Sequence, residues 1–223
     1  MPDFTQSRLW LLLLITPFLF ALKITVPFHL VFEVTGIELL SKKGNAASWL
    51  GGFLWISLLI IVIHRLLEGR WALYWVQKPS RLLPYLLLLL LMAPLVMAAA
   101  ASDSFSEMYP RAQELSRNQL TVIRWSNVAF FEICYLVDFL SIELFFRGMM
   151  VAVLSRFLGV QAILPVAFFY FSIHLGKPLP EAAGSFLGAL VLGSIALQTK
   201  SVWGGWIVHA GIAMLMELLA ALF

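Results

Sequence analysis

Residues 125–155 read WSNVAFFEICYLVDFLSIELFFRGMMVAVLS. The stretch is long and apolar enough to cross a bilayer as a helix, which takes about 20 residues, yet it carries Glu132, Asp138, Glu143 and Arg147. A charge at membrane depth is costly unless it faces the protein interior, a partner or a water-filled cavity. At about 3.6 residues per turn, Glu143 and Arg147 fall one turn apart on one face, and Glu132, eleven positions earlier, projects in nearly the same direction. The helix therefore has one polar stripe that its neighbours must cover. By itself the stripe fits either a structural ion pair that locks two helices or part of a buried site.

Composition sets the solvent. The chain has 223 residues, 61% hydrophobic and 12% charged, with a mean hydropathy of +0.93, where a soluble domain carries roughly 25% charged residues. That balance excludes a cytosolic enzyme, a nucleic-acid-binding domain and a disordered chain, and makes the membrane lipid bilayer the first partner. The formal net charge of +3, from 15 Lys and Arg against 12 Asp and Glu, is a thin population of loop charges, so no nucleic-acid partner follows. The one cysteine, Cys134, sits in an apolar stretch, cannot form an internal disulfide and reads as core packing.

Working outward from 125–155, further apolar segments appear on both sides. Met1 to Arg8 followed by LWLLLLITPFLFAL resembles a signal sequence, but Pro17 interrupts it and no small-x-small site precedes Lys23, so it reads as an uncleaved first span. ITVPFHLVF then continues it as a Pro-broken piece. Ala46 to Ile63 and Leu82 to Ala101 make the second and third spans, Phe157 to Ile173, Ala182 to Thr199 and Ser201 to Phe223 the last three. The predicted fold is all-α, a polytopic transmembrane helix bundle of about seven spans. Residues 1–101 hold three spans, 102–124 a polar connection with Asp103, Glu107, Arg111, Glu114 and Arg117, and 125–223 a four-helix core. Nearly every ionisable group at membrane depth lies in the core, and no internal repeat supports a transporter built from inverted halves. Arg65, Arg70, Lys78 and Arg81 place their loop in the cytoplasm against the weaker opposing set Lys42, Lys43, Arg111, Arg117 and Lys177.

Two of the four histidines lie with the acids. His174 ends AFFYFSIH and His209 stands inside WGGWIVHAGIAM, whereas His29 and His64 lie near span ends and read as packing or interface groups. Two imidazoles and a carboxylate on three helices are most economically one convergent site. A carboxylate and an imidazole can take a proton from water while a second imidazole hydrogen-bonds the oxyanion formed at a carbonyl, which is amide hydrolysis. Alternatively Glu143, His174 and His209 match a hydrolytic metal site such as zinc with one open position, although no HExxH is present.

In this order, SIELFFRGMM, YFSIH and LGKPLPEAAGSFLGALVLGSIALQTKSVWGGWIVHAG resemble the CPBP family of intramembrane proteases, the group containing the CAAX prenyl endopeptidases and bacteriocin-processing proteins. The resemblance covers about Glu132 to Glu217. The family's pattern is a Glu-Glu-x-x-x-Arg helix, a Phe-x-x-x-His helix and a His-x-x-x-Asn helix. Arg147 matches the arginine, Glu143 the second glutamate, and His174 and His209 the two histidines. Ile142 stands where the pattern has its first glutamate, the implied general base, Ala213 where it has the asparagine that completes the oxyanion hole, and Tyr170 where it has phenylalanine. The resemblance implies an endopeptidase cleaving a peptide or membrane-protein substrate without a cofactor. In it Glu143 and His174 activate water, His209 stabilises the oxyanion and Arg147 fixes Glu143. Asp138, one turn before Ile142, and Glu217, one turn after Ala213, are placed to stand in for the missing groups. The alternative is a catalytically silent relative that binds a membrane partner. A bacterial inner membrane is the expected location, since no organelle signal is visible.

Overall fold

A computed structural model describes residues 6–37, 45–79, 81–112 and 125–222. Lys42, Lys43, Glu114 and Arg117, weighed above as loop charges, lie outside the described residues. Among the described residues the regular structure is helical, apart from isolated bridges between Val76 and Ser201 and between Leu175 and Lys177. In chain order the helices are α1 (Gln6–Thr25), α2 (Phe28–Val34), α3 (Asn45–Glu68), α4 (Leu83–Ala100), the single turn α5 (Asp103–Ser106) and α6 (Trp125–Glu143). Leu144–Val151 continues α6 as a π-helix, followed by α7 (Ala152–Leu158), a 3-10 turn (Gly159–Ala162), α8 (Ile163–Ser172), α9 (Leu179–Thr199) and α10 (Trp203–Leu222).

Among the described residues five helical runs are long and apolar enough to cross a membrane, and six if the α1–α2 pair, bent by 73°, counts as one broken span. The expectation of about seven divides residues 125–173 into two crossings. The structure has one continuous helical run from Trp125 to Ser172, which turns at Gly159, whose φ of 56° lies in the left-handed region that glycine reaches without strain. Beyond that turn α8 has only 10 residues, about 15 Å at 1.5 Å per residue, half of a hydrocarbon core of about 30 Å. It ends beside His174, which lines the cavity described below.

Packing follows the small and aromatic residues. α3 lies along α6, α9 along α8, and α10 along both α4 and α6. Phe20 of α1 packs against Phe145, tilted, and Phe146, edge-on, with ring centroids 4.4 and 5.1 Å away, and Phe146 meets Tyr170 edge-on at 5.0 Å. These buried rings fill the middle of the bundle beneath the polar residues. At one end the loop after α3 is tied to the α9–α10 turn: Val202 N donates to Trp75 O, Ser201 Oγ to Gln77 O and Trp203 Nε1 to Val76 O. Arg156 pairs with Glu68 there. The cavity described next lies toward the other end, near the α1–α2 bend.

Candidate active site

A cavity of about 440 Å³, within the range of small-molecule pockets, is lined by Lys23 to Pro27 together with Asp138, Ile142, Tyr170, His174 and His209. His174 leaves the C-terminal end of α8 and His209 stands on α10, so two helices bring the imidazoles to one space. His174 Nδ1 lies 2.9 Å from the Tyr170 carbonyl oxygen. A carbonyl only accepts, so Nδ1 carries the proton and Nε2 is the lone-pair nitrogen. Burial, reinforced by the Lys177 cation, pushes the His174 pKa down to about 3 and keeps the ring neutral.

Glu143 belongs to the same cluster, one layer behind the cavity. It is fully buried and is not among the residues that line the space. Its Oε1 lies 3.2 Å from Arg147 Nη1, an ion pair one turn along the helix, and accepts from His209 Nδ1 at 3.3 Å, while Oε2 is buried without a hydrogen-bond partner among the described residues. Arg147 is 2% exposed and its guanidinium stacks over the Tyr170 ring at 4.5 Å. Because Glu143 takes the Nδ1 proton, neutral His209 offers Nε2 as an acceptor, and the Tyr170 hydroxyl donates to it at 3.0 Å. Gly205, one turn before His209 on α10, makes the arrangement possible, since a β-carbon there would lie 2.2 Å from Glu143 Oε2.

The substitute acids have other partners. Asp138 lines the cavity, but Lys23 Nζ lies 2.7 Å from its Oδ1 and 2.9 Å from its Oδ2. Gly52 leaves room for this crossing, since a β-carbon there would meet Lys23 Cγ at 3.2 Å and Asp138 Oδ1 at 3.6 Å. Glu217 is buried and accepts the backbone N–H of Arg111 at 2.8 Å and of Ala112 at 3.1 Å. It clamps the described part of the polar connection onto the bundle, with both oxygens taken by backbone N–H groups. Tyr109 of the same segment donates to Glu181 at 3.2 Å; burial, then the Glu181 carboxylate, hold its hydroxyl well above the usual tyrosine range, so it stays a donor. Glu132 lies away from the cavity, with Oε2 buried and unpartnered among the described residues.

His29 Nδ1 lies 2.9 Å from Ser48 Oγ at the cavity edge, and His64 Nδ1 donates to Arg70 O at 2.9 Å, so both have local packing partners. Among the described residues no three His, Cys, Asp or Glu side chains stand so as to hold a metal ion. Glu143 Oε1 is committed to Arg147 and His209, and each histidine Nδ1 to a protein oxygen. That leaves Nε2 of each ring and the buried, unpartnered Glu143 Oε2 as the atoms a metal would have to use. Sequence reasoning missed two functional partners. Lys23 had a signal, a lone cation inside an apolar run that demands a counter-ion; the Gly205 cradle had only the small-residue spacing before His209.

The helical bundle and its apolar spans define an integral membrane protein. Residues 124–215 match the family described as Type II CAAX prenyl endopeptidase Rce1-like. That match supports membership of the CPBP family of intramembrane proteases. No curated protein and no solved structure matches it.

Proposed function

We propose that the protein is an intramembrane endopeptidase that hydrolyses a peptide bond of a membrane-associated substrate, in a bacterial inner membrane. His174, neutral and with Nε2 unprotonated, takes a proton from the attacking water and returns it to the leaving amine. His209 stands on the carbonyl-oxygen side, oriented by Glu143, which Arg147 fixes through a charge-assisted bond. Glu143 acts through His209, because its carboxylate is buried behind the imidazole. The observation that carries this reading is the pair of histidines on one cavity wall, each with Nδ1 committed to an oxygen and Nε2 left as an acceptor.

The second reading is a catalytically silent relative that holds a membrane partner in the same cavity, and Ile142 favours it, since an apolar side chain lines the wall where the family pattern has a carboxylate. One experiment separates the two: peptide ends mapped across membranes from cells expressing the wild type or His174→Ala at matched abundance. The endopeptidase reading expects ends that vanish in His174→Ala. Identical sets of ends would overturn it and leave the binding role.

A further inference from the structure

The oxygen side of the site lacks a donor. Ala213 cannot hydrogen-bond, Glu217 is spent on the Arg111 and Ala112 N–H groups, and neutral His209 presents a lone pair at Nε2 because Glu143 holds the proton on Nδ1. Of the hydroxyl groups that line the cavity, that of Tyr170 is the one hydrogen-bonded to His209 among the described residues. Tyr170 lines the cavity, its ring is fixed between the Arg147 guanidinium at 4.5 Å and the His174 ring at 4.6 Å, and its hydroxyl is held at 3.0 Å from His209 Nε2.

We infer that the Tyr170 hydroxyl is the oxyanion donor of this protease, supplying from α8 the hydrogen bond that Ala213 cannot supply from α10. The inference rests on the endopeptidase reading and names a catalytic residue within it. Water adds to the carbonyl carbon as its proton passes to His174 Nε2. The C=O electron pair moves onto oxygen, and the Tyr170 O–H turns from His209 Nε2 to that oxyanion. Collapse re-forms C=O and breaks the C–N bond, while the proton on His174 goes to the leaving nitrogen, so one water and one peptide bond give one carboxyl group and one amine. His209 is then a positioning residue: it parks the hydroxyl before substrate arrives and takes it back afterwards. Because the ring is held in place only the O–H has to turn, and a donor held near the reacting oxygen weighs heavily in acyl transfer.

The test is Tyr170→Phe, which keeps the ring and its stacking, alone and combined with Ala213→Asn. The readout is the rate at which the His174-dependent peptide ends form in membranes holding equal amounts of folded protein. The single variant should slow their formation about 10²- to 10³-fold, the range for loss of one oxyanion donor, and Ala213→Asn, one turn after His209, should recover at least about tenfold of it. Wild-type rates in Tyr170→Phe would overturn the inference, as would a loss that a folded double variant does not relieve. If His174→Ala changes no ends, the endopeptidase reading itself falls, a result distinct from either.

Discussion

Glu143 and Gly205 occupy one another's space: the carboxylate lies where a side chain on Gly205 would begin, with Oε2 2.2 Å and Cδ 3.0 Å from the position of a β-carbon. Oε1 is already taken by Arg147 and His209, so the carboxylate cannot swing aside without breaking those bonds. Gly205→Ala should destabilise the protein by about 1–3 kcal/mol, the usual cost of overpacking, and loosen His209. Thermal unfolding in detergent would register the first effect and the rate of peptide-end formation the second; unchanged values of both would mean that Glu143 is not held as described.

The Lys23–Asp138 pair joins α1 to the catalytic core across 115 residues of sequence. Removing one partner leaves a buried charge, at a cost of about 3–5 kcal/mol, whereas replacing both by neutral groups of similar volume is near neutral. Asp138→Asn should therefore lower abundance and melting temperature, and Lys23→Met with Asp138→Asn should recover both. Full cleavage in the double variant would also show that Asp138 takes no proton from water.

Ile142 is the wall residue where a carboxylate has most to add. Ile142→Glu places an anion beside the cavity that His174 lines, favouring the protonated imidazole formed during water attack. Cleavage should rise toward about 10²-fold, the low end of what a positioned acid or base contributes. A folded variant with wild-type rates would argue against His174 as the group that faces the water.

Stability should depend on His174 in acid. Its folded pKa, about 3, lies below the unfolded value of about 6.5, so the unfolded chain takes up the proton first as pH falls. Stability associated with this group is complete above about pH 6.5 and is lost progressively toward pH 3, levelling below. His174→Gln, which cannot titrate, should flatten the melting temperature over that window relative to wild type. An equal slope in both proteins would remove His174 as its source.

Charge at membrane depth made much of the site legible. Glu143 and Arg147 at one-turn spacing, and two histidines on other apolar helices, had to find partners because hydrocarbon offers none, and they meet around Tyr170. The helical class was equally readable, because backbone groups in a bilayer must be satisfied within the helix itself. The number of crossings was not. A run of apolar residues does not show where its helix breaks, and only the packed structure puts the turn at Gly159 and leaves α8 with 10 residues. Nor could spacing tell which oxygen faces the cavity. Asp138 and Glu217 project at the right helical intervals, but Lys23 reaches Asp138 from the first helix and the Arg111–Ala112 backbone reaches Glu217 from a connection. Sequence determined which groups must be buried and paired; the pairing itself was decided by tertiary packing, since helical period fixes a side chain's direction on its own helix and carries no information about what stands opposite.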